Sequence, residues 1–244
     1  MSGPVLPKPH LLAQPEIPRV LPFAVYLAIP ALGGTWLPHH EYWLYAVKVA
    51  VAAGLVWWMR RRLPEMKGSF SWAAVGVGIS IAVLWEVISY YVPGLGRLYE
   101  HALHLFTGKP LPPIHPPEPW APLTVFSEAP AIAYALITIR VLGRSLLVPL
   151  IEETFYRSFV YRYLINPNFE SISLTTRHGG AWILTSVLFG FSHPDQWLAG
   201  CVCGAAYQWL VVRSGRLGDA MLAHGITNGL LSVWVIVQGT WNFS

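Results

Sequence analysis

The run "VPLIEETFYRSFVYRYL", Val148–Leu164, sets Glu152, Glu153 and Arg157 among apolar and aromatic residues. A charge near the centre of a bilayer costs about 2.5–3.5 kcal/mol on insertion scales, so each must be compensated. Glu153 and Arg157 stand four apart with the acid on the N-terminal side, the better order for an ion pair on one helix face. Adjacent helical positions diverge by about 100°. Glu152 therefore points elsewhere and needs its own partner or its own water, and a carboxylate with water inside a bundle is a proton-handling group.

Two further stretches carry polar groups in apolar surroundings. In "LFGFSHPDQW", His193 stands directly before Pro194, which disfavours helical geometry at the histidine and ends the helix there. In "MLAHGITNGLLSVWVIV", His224 and Asn228 stand four apart and project from one face. Taken singly, these features also read as a structural clasp, a helix cap and helix–helix glue. Taken together, Glu152, His193, His224 and Asn228 are best satisfied if they converge. A glutamate and a histidine around one water form a general base, and a histidine with an asparagine suits the oxyanion formed when water attacks an amide. Glu153 and Arg157 would then support the cluster, the arginine helping Glu152 stay charged beside a second carboxylate.

The elements that must position these groups are membrane helices. The chain of 244 residues is 54% hydrophobic and only 11% charged, where soluble domains carry about 25% charge, and its mean hydropathy is +0.46. The composition implies an all-α, polytopic transmembrane bundle of about eight helices, with no separate soluble domain. Hydropathy and helix breakers place spans near Val20–Trp36, Tyr42–Trp58, Ser71–Tyr91, Pro122–Val141, Ser145–Leu164, Gly180–Ser192, Trp197–Val212 and Ala220–Gln238. The sixth is short for a full crossing. Residues 1–19 read as an extended, proline-rich tail, 20–244 as one transmembrane domain, and 145–232 as its catalytic core.

The net charge of +4 does not indicate a nucleic-acid partner, because the basic residues are scattered between apolar segments. "MRRRLPEMK" reads as a topology signal that puts Arg60, Arg61, Arg62 and Lys67 in the cytoplasm, together with the N-terminal Lys8 and Arg19. The same orientation puts Arg140 and Arg144 inside, yet strict alternation leaves Arg213 and Arg216 outside, so the topology of the C-terminal half stays open. Cys201 and Cys203 lie within an apolar segment and read as packing residues rather than a disulfide framework or a metal site. The connection Val92–Ala121 reads as an amphipathic interfacial helix, "LGRLYEHALHLFTG", followed by a proline-rich stretch. His101 and His104 share a face there without a third ligand.

"EETFYR", "FGFSH" and "HGITN" resemble the EExxxR, FxxxH and HxxxN motifs of the CPBP family, the type II CAAX prenyl endopeptidases and bacteriocin-processing proteins also called the ABI family. The motifs cover roughly Leu146–Leu231, and the chain is also similar to the bacterial subgroup found with exosortase-type sorting systems. The resemblance implies a glutamic intramembrane protease without a cofactor. In it Glu152 and His193 activate water, His224 and Asn228 form the oxyanion site, and Glu153 and Arg157 support them. It implies membrane lipid and a protein or peptide substrate, lipidated or membrane-delivered and cut near its C-terminus, as partners, and a bacterial inner membrane with a cytoplasmic N-terminus. Three alternatives remain beside it. One is a zinc protease with Glu152, His193 and His224 as ligands, the second a proton-coupled transporter, and the third a non-catalytic member that binds a partner protein.

Overall fold

The structure, a computed structural model, describes residues 14–32, 39–113 and 120–238. Most of the expected tail, the end of the expected first span and part of the proline-rich stretch lie outside the described residues. Within them the chain is helical with no strand. Its eight helices of more than one turn are α1 (Ile17–Leu32), α2 (His40–Met59), α3 (Trp72–Tyr91), α4 (Leu95–Thr107), α5 (Pro130–Ile165), α6 (Gly179–Phe191), α7 (Trp197–Ser214) and α8 (Leu217–Gln238). The amphipathic stretch after α3 does form a helix, α4. The segments His40–Arg62, Trp72–Thr107, Pro130–Ile165 and Leu217–Gln238 are long and apolar enough to cross a membrane, while Ile17–Ala31 and Gly179–Phe191 are shorter apolar helices. Trp57, Trp72, Val83, Ile183 and Val237 face outward, as a surface meeting lipid requires.

The expected spans Pro122–Val141 and Ser145–Leu164 are a correction: from Pro130 onward they form one continuous helix. Gly143, Ser145 and Pro149 look like a break, but the chain absorbs them in a π-helical turn at Gly143–Leu147. The N–H of Val148 reaches back five residues to the carbonyl of Gly143. In that register the carbonyl of Arg144 would await the N–H of residue 149, which proline lacks. At about 1.5 Å per residue α5 runs some 54 Å, well beyond a hydrocarbon core of about 30 Å. A second π-helical segment, Thr154–Val160, follows Glu153 directly.

Merging two spans removes one crossing and reverses the sense of everything after it. The contacts agree. Arg19 at the start of α1 pairs with Glu65 in the α2–α3 link (2.8 Å), and Arg162 near the end of α5 pairs with the same carboxylate (3.5 Å). The hydroxyl of Ser158 on α5 donates to Glu65 as well. Asp219 at the start of α8 accepts from Ser69 of that link (2.6 Å) and from Arg216 (2.9 Å). Arg19, Arg162 and Arg216 thus gather at one end of the bundle. At the other end Tyr42 stacks on Trp120, and Trp197 donates to the carbonyl of Pro93 (3.3 Å).

The core is built from Phe23, Ile151, Tyr156, Phe189, Tyr207, Leu210 and Ala223, all buried. Small residues let backbones touch where polar groups must meet. A Cβ on Gly190 of α6 would lie 2.6 Å from the carbonyl of Trp197, and one on Gly225 of α8 would lie 2.7 Å from the carbonyl of Ser145. The first seam fixes the end of α6 and with it His193. The second presses α8 against the π turn of α5.

Candidate active site

Glu152, His193, His224 and Asn228 all line one cavity of about 340 Å³. They come from α5, from the turn after α6, and from α8. The helix of α6 stops at Phe191, and Pro194 opens the short turn Pro194–Gln196, so His193 stands free of helical geometry as Pro194 demands. Its Nδ1 donates to the carbonyl of Phe189 (2.9 Å). In the neutral ring this leaves Nε2 as an acceptor. The rings of Trp85 (5.4 Å) and Phe189 (5.0 Å) hold the imidazole from two sides.

Glu152 is buried, and its Oε2 has no hydrogen-bond partner among the described residues. Glu153 is differently placed. It is fully buried, its Oε2 accepts from Nε of Arg157 (3.0 Å), and its Oε1 accepts from Nδ1 of His224 (2.9 Å). The i,i+4 pair expected from spacing is therefore formed. What spacing did not reveal is that the same carboxylate also holds His224 across helices, giving a buried chain Arg157–Glu153–His224. The guanidinium of Arg157 lies over the ring of Phe189 (5.1 Å), and Tyr207 stacks on His224 (5.2 Å).

Asn228 is oriented by the backbone defect in α5. Its Nδ2 donates to the carbonyl of Arg144 (2.9 Å), the acceptor that Pro149 leaves without a helical donor. One amide proton is committed in this way and the second is available to the cavity. Thr227, beside it, donates toward the carbonyls of Gly78 and Ala223 and accepts from the hydroxyl of Tyr207 (2.8 Å), which ties α8 to α3 and α7.

Sequence reasoning missed several groups in the same cavity. Lys48 of α2, Glu86 of α3, and Arg140 and Arg144 of α5 line it too. Arg140 and Arg144 were expected as cytoplasmic markers and instead face this interior, a second correction. The signal that could have found them is the one that found Glu152: Lys48 is an ionisable residue amid an apolar span. His101 and His104 are not joined to the site, their Nδ1 atoms donating to the carbonyls of Arg97 and Lys109. Among the described residues, no three His, Cys, Asp or Glu side chains are grouped so as to hold a metal ion.

No curated protein and no solved structure matches the chain. A family model does match part of it, which together with the apolar helices indicates an integral membrane protein and a protease. Residues 134–230, the segment that carries Glu152, His193, His224 and Asn228, match the family described as Type II CAAX prenyl endopeptidase Rce1-like, in agreement with the resemblance carried by the three motifs.

Proposed function

We propose that this chain is an intramembrane endopeptidase that hydrolyses a peptide bond with water activated by Glu152 and His193. The observation that carries the reading is that Glu152, His193, His224 and Asn228 line one and the same cavity. A water between the Glu152 carboxylate and Nε2 of His193 gives up a proton to Glu152 as its oxygen bonds to the scissile carbonyl carbon. The carbonyl oxygen becomes an oxyanion and accepts from the free amide proton of Asn228 and from Nε2–H of His224. Donation from Nε2 requires His224 to carry both ring protons, and the Glu153 carboxylate against Nδ1 is the counter-ion for that form. When the tetrahedral intermediate collapses, the C–N bond breaks and the amine departs with the proton from Glu152.

No metal is assigned to this reaction. Glu152, His193 and His224 are the donors a zinc site would use, but Asn228 suits an oxyanion better than zinc. The substrate is a membrane-delivered or lipidated protein cut near its C-terminus. The end that gathers Arg19, Arg162 and Arg216, and next to which Arg60–Arg62 lie in sequence, faces the cytoplasm by the bias of basic residues. We read the side from which α1 starts as cytoplasmic too, and the membrane as a bacterial inner membrane.

The experiment is hydrolysis of an acylated peptide by purified protein in lipid. Glu152→Gln and His193→Ala should each lose about 10²–10⁴-fold in kcat, and Asn228→Ala about 10²–10³-fold, with chelators leaving the wild type unchanged. Full activity of Glu152→Gln would remove the mechanism.

A further inference from the structure

The outer face of the bundle carries two adjoining clefts. The first, of about 460 Å³, lies between Arg177 of the α5–α6 link, Trp182 of α6, and Trp209, Val212 and Arg213 of α7. It stands at the basic end: Arg213 belongs to the last turn of α7, and a Cβ on Gly215, next to Arg216, would lie 3.1 Å from Thr175 of the link. The link is held on both sides of Arg177. The hydroxyl of Tyr161 donates to the carbonyl of Thr176 (2.8 Å) and accepts from the N–H of His178 (3.0 Å). The guanidinium of Arg213 lies over the ring of Trp209 (5.1 Å). Both arginines are exposed, and among the described residues neither forms an ion pair. No acid lines the cleft.

The second cleft, of about 410 Å³, shares Trp209 and Arg213 with the first and is otherwise lined by Ala73, Gly76, Val77, Ser80 and Ile81 of α3 and Ala206 of α7. From Ala73 to Ile81 the helix rises about 12 Å, close to the depth of one leaflet in a hydrocarbon core about 30 Å thick. A Cβ on Gly76 would meet nothing within 4 Å, so this wall is open. We infer that the two clefts together bind one anionic glycerophospholipid, with its phosphate between Arg177 and Arg213 and one acyl chain along α3 and α7. Charge selects this occupant. Two guanidiniums without a carboxylate match a phosphate, whose oxygens fit their planar fork. Tryptophans favour the headgroup level, and from Trp209 the apolar cleft leads inward to receive a chain. A soluble anion would use the first cleft and leave the second empty. None of these residues lines the cavity of Glu152, so the site stands whether or not the chain is a peptidase.

The test is native mass spectrometry of delipidated full-length protein, titrated in detergent with phosphatidylglycerol or with phosphatidylcholine of the same acyl chains. A basic side chain at the membrane surface favours an anionic lipid about fivefold, so phosphatidylglycerol should bind about 25-fold more tightly. Arg177→Gln and Arg213→Gln should each cut that preference about fivefold and the double variant should abolish it, while Arg213→Lys keeps most of it. Gly76→Leu, which fills the apolar cleft, should weaken both lipids about tenfold, the worth of roughly two methylenes losing contact, and leave their ratio unchanged. Arg61→Gln, which removes an exposed cation elsewhere at the same end, should alter neither. Equal affinities for the two lipids, or a preference that survives the double substitution, would overturn the site. So would a loss in Arg61→Gln as large as that in Arg213→Gln, which would make the effect one of overall charge. Undiminished binding by Gly76→Leu, or displacement of the lipid by an equal concentration of glycerol 3-phosphate, would remove the acyl chain from the proposal and overturn it as well.

Discussion

Replacing Glu153 with glutamine tests the buried chain that orients His224. The carboxylate accepts from two donors, Nε of Arg157 at 3.0 Å and Nδ1 of His224 at 2.9 Å. A glutamine offers one carbonyl oxygen and one NH2, so one donor must face another donor. Arg157 has no exposed surface, and its NH1 and NH2 have no hydrogen-bond partner in the structure. Among the described residues, Glu153 is thus the one acid paired with this guanidinium. Breaking a buried pair by removing one partner costs about 3–5 kcal/mol, a change of about a hundred- to four-thousandfold in the folded-to-unfolded ratio. Arg157→Met should cost a similar amount. The double variant, which removes both charges, should be less destabilised than the sum of the singles by about 2–3 kcal/mol. Unfolding in mixed detergent micelles, followed by the fluorescence of the 12 tryptophans, measures all three. Single costs below about 1 kcal/mol, or additivity within about 0.5 kcal/mol, would refute the idea that Arg157 and Glu153 act as a unit.

Three other outcomes follow from the packing and the backbone. Gly225→Val should destabilise the bundle by about 1–3 kcal/mol in the same unfolding assay, because even a Cβ would stand 2.7 Å from the carbonyl of Ser145. Pro149→Ala returns an N–H to α5 that competes for the carbonyl of Arg144 and only disorients Asn228, so kcat should fall about tenfold, less than the roughly 10²–10³-fold for outright loss of an oxyanion donor, with little change in thermal stability. Burial would raise the Glu65 carboxyl, but the Ser158 hydroxyl and the Arg19 guanidinium outweigh it and hold it below its usual value. A lowered folded value means the stabilisation is complete above the unfolded carboxylate pKa of about 4.3 and is lost as pH falls through the folded value. Glu65→Gln should flatten the fall of thermal stability below about pH 4.3.

The helices were legible because apolar runs of span length leave little choice of structure. The four cavity residues were legible because polar groups in lipid must find partners. The join at Gly143–Leu147 was not, since a glycine, a serine and a nearby proline mark a break equally whether the chain turns or merely slips into a π register. Nor was the partner of His224. Spacing pairs Glu153 with Arg157 on one helix, but nothing local tells that its second oxygen reaches a residue 71 positions further on. The cavity-lining Arg140 and Arg144 were hidden for a similar reason, because an arginine near a helix end and one facing a cavity have the same neighbours in sequence.

The clasp around Glu65 has a consequence for how the chain assembles. Arg19 at the start of the α1–α2 hairpin and Glu65 just after it both precede α5, and they can neutralise each other before α5 exists. Ser158 and Arg162 arrive almost a hundred residues later and complete a lock that is already half closed. The newborn hairpin can therefore wait in the bilayer without a bare acid at its base, and the long helix finds a charged socket ready for its far end.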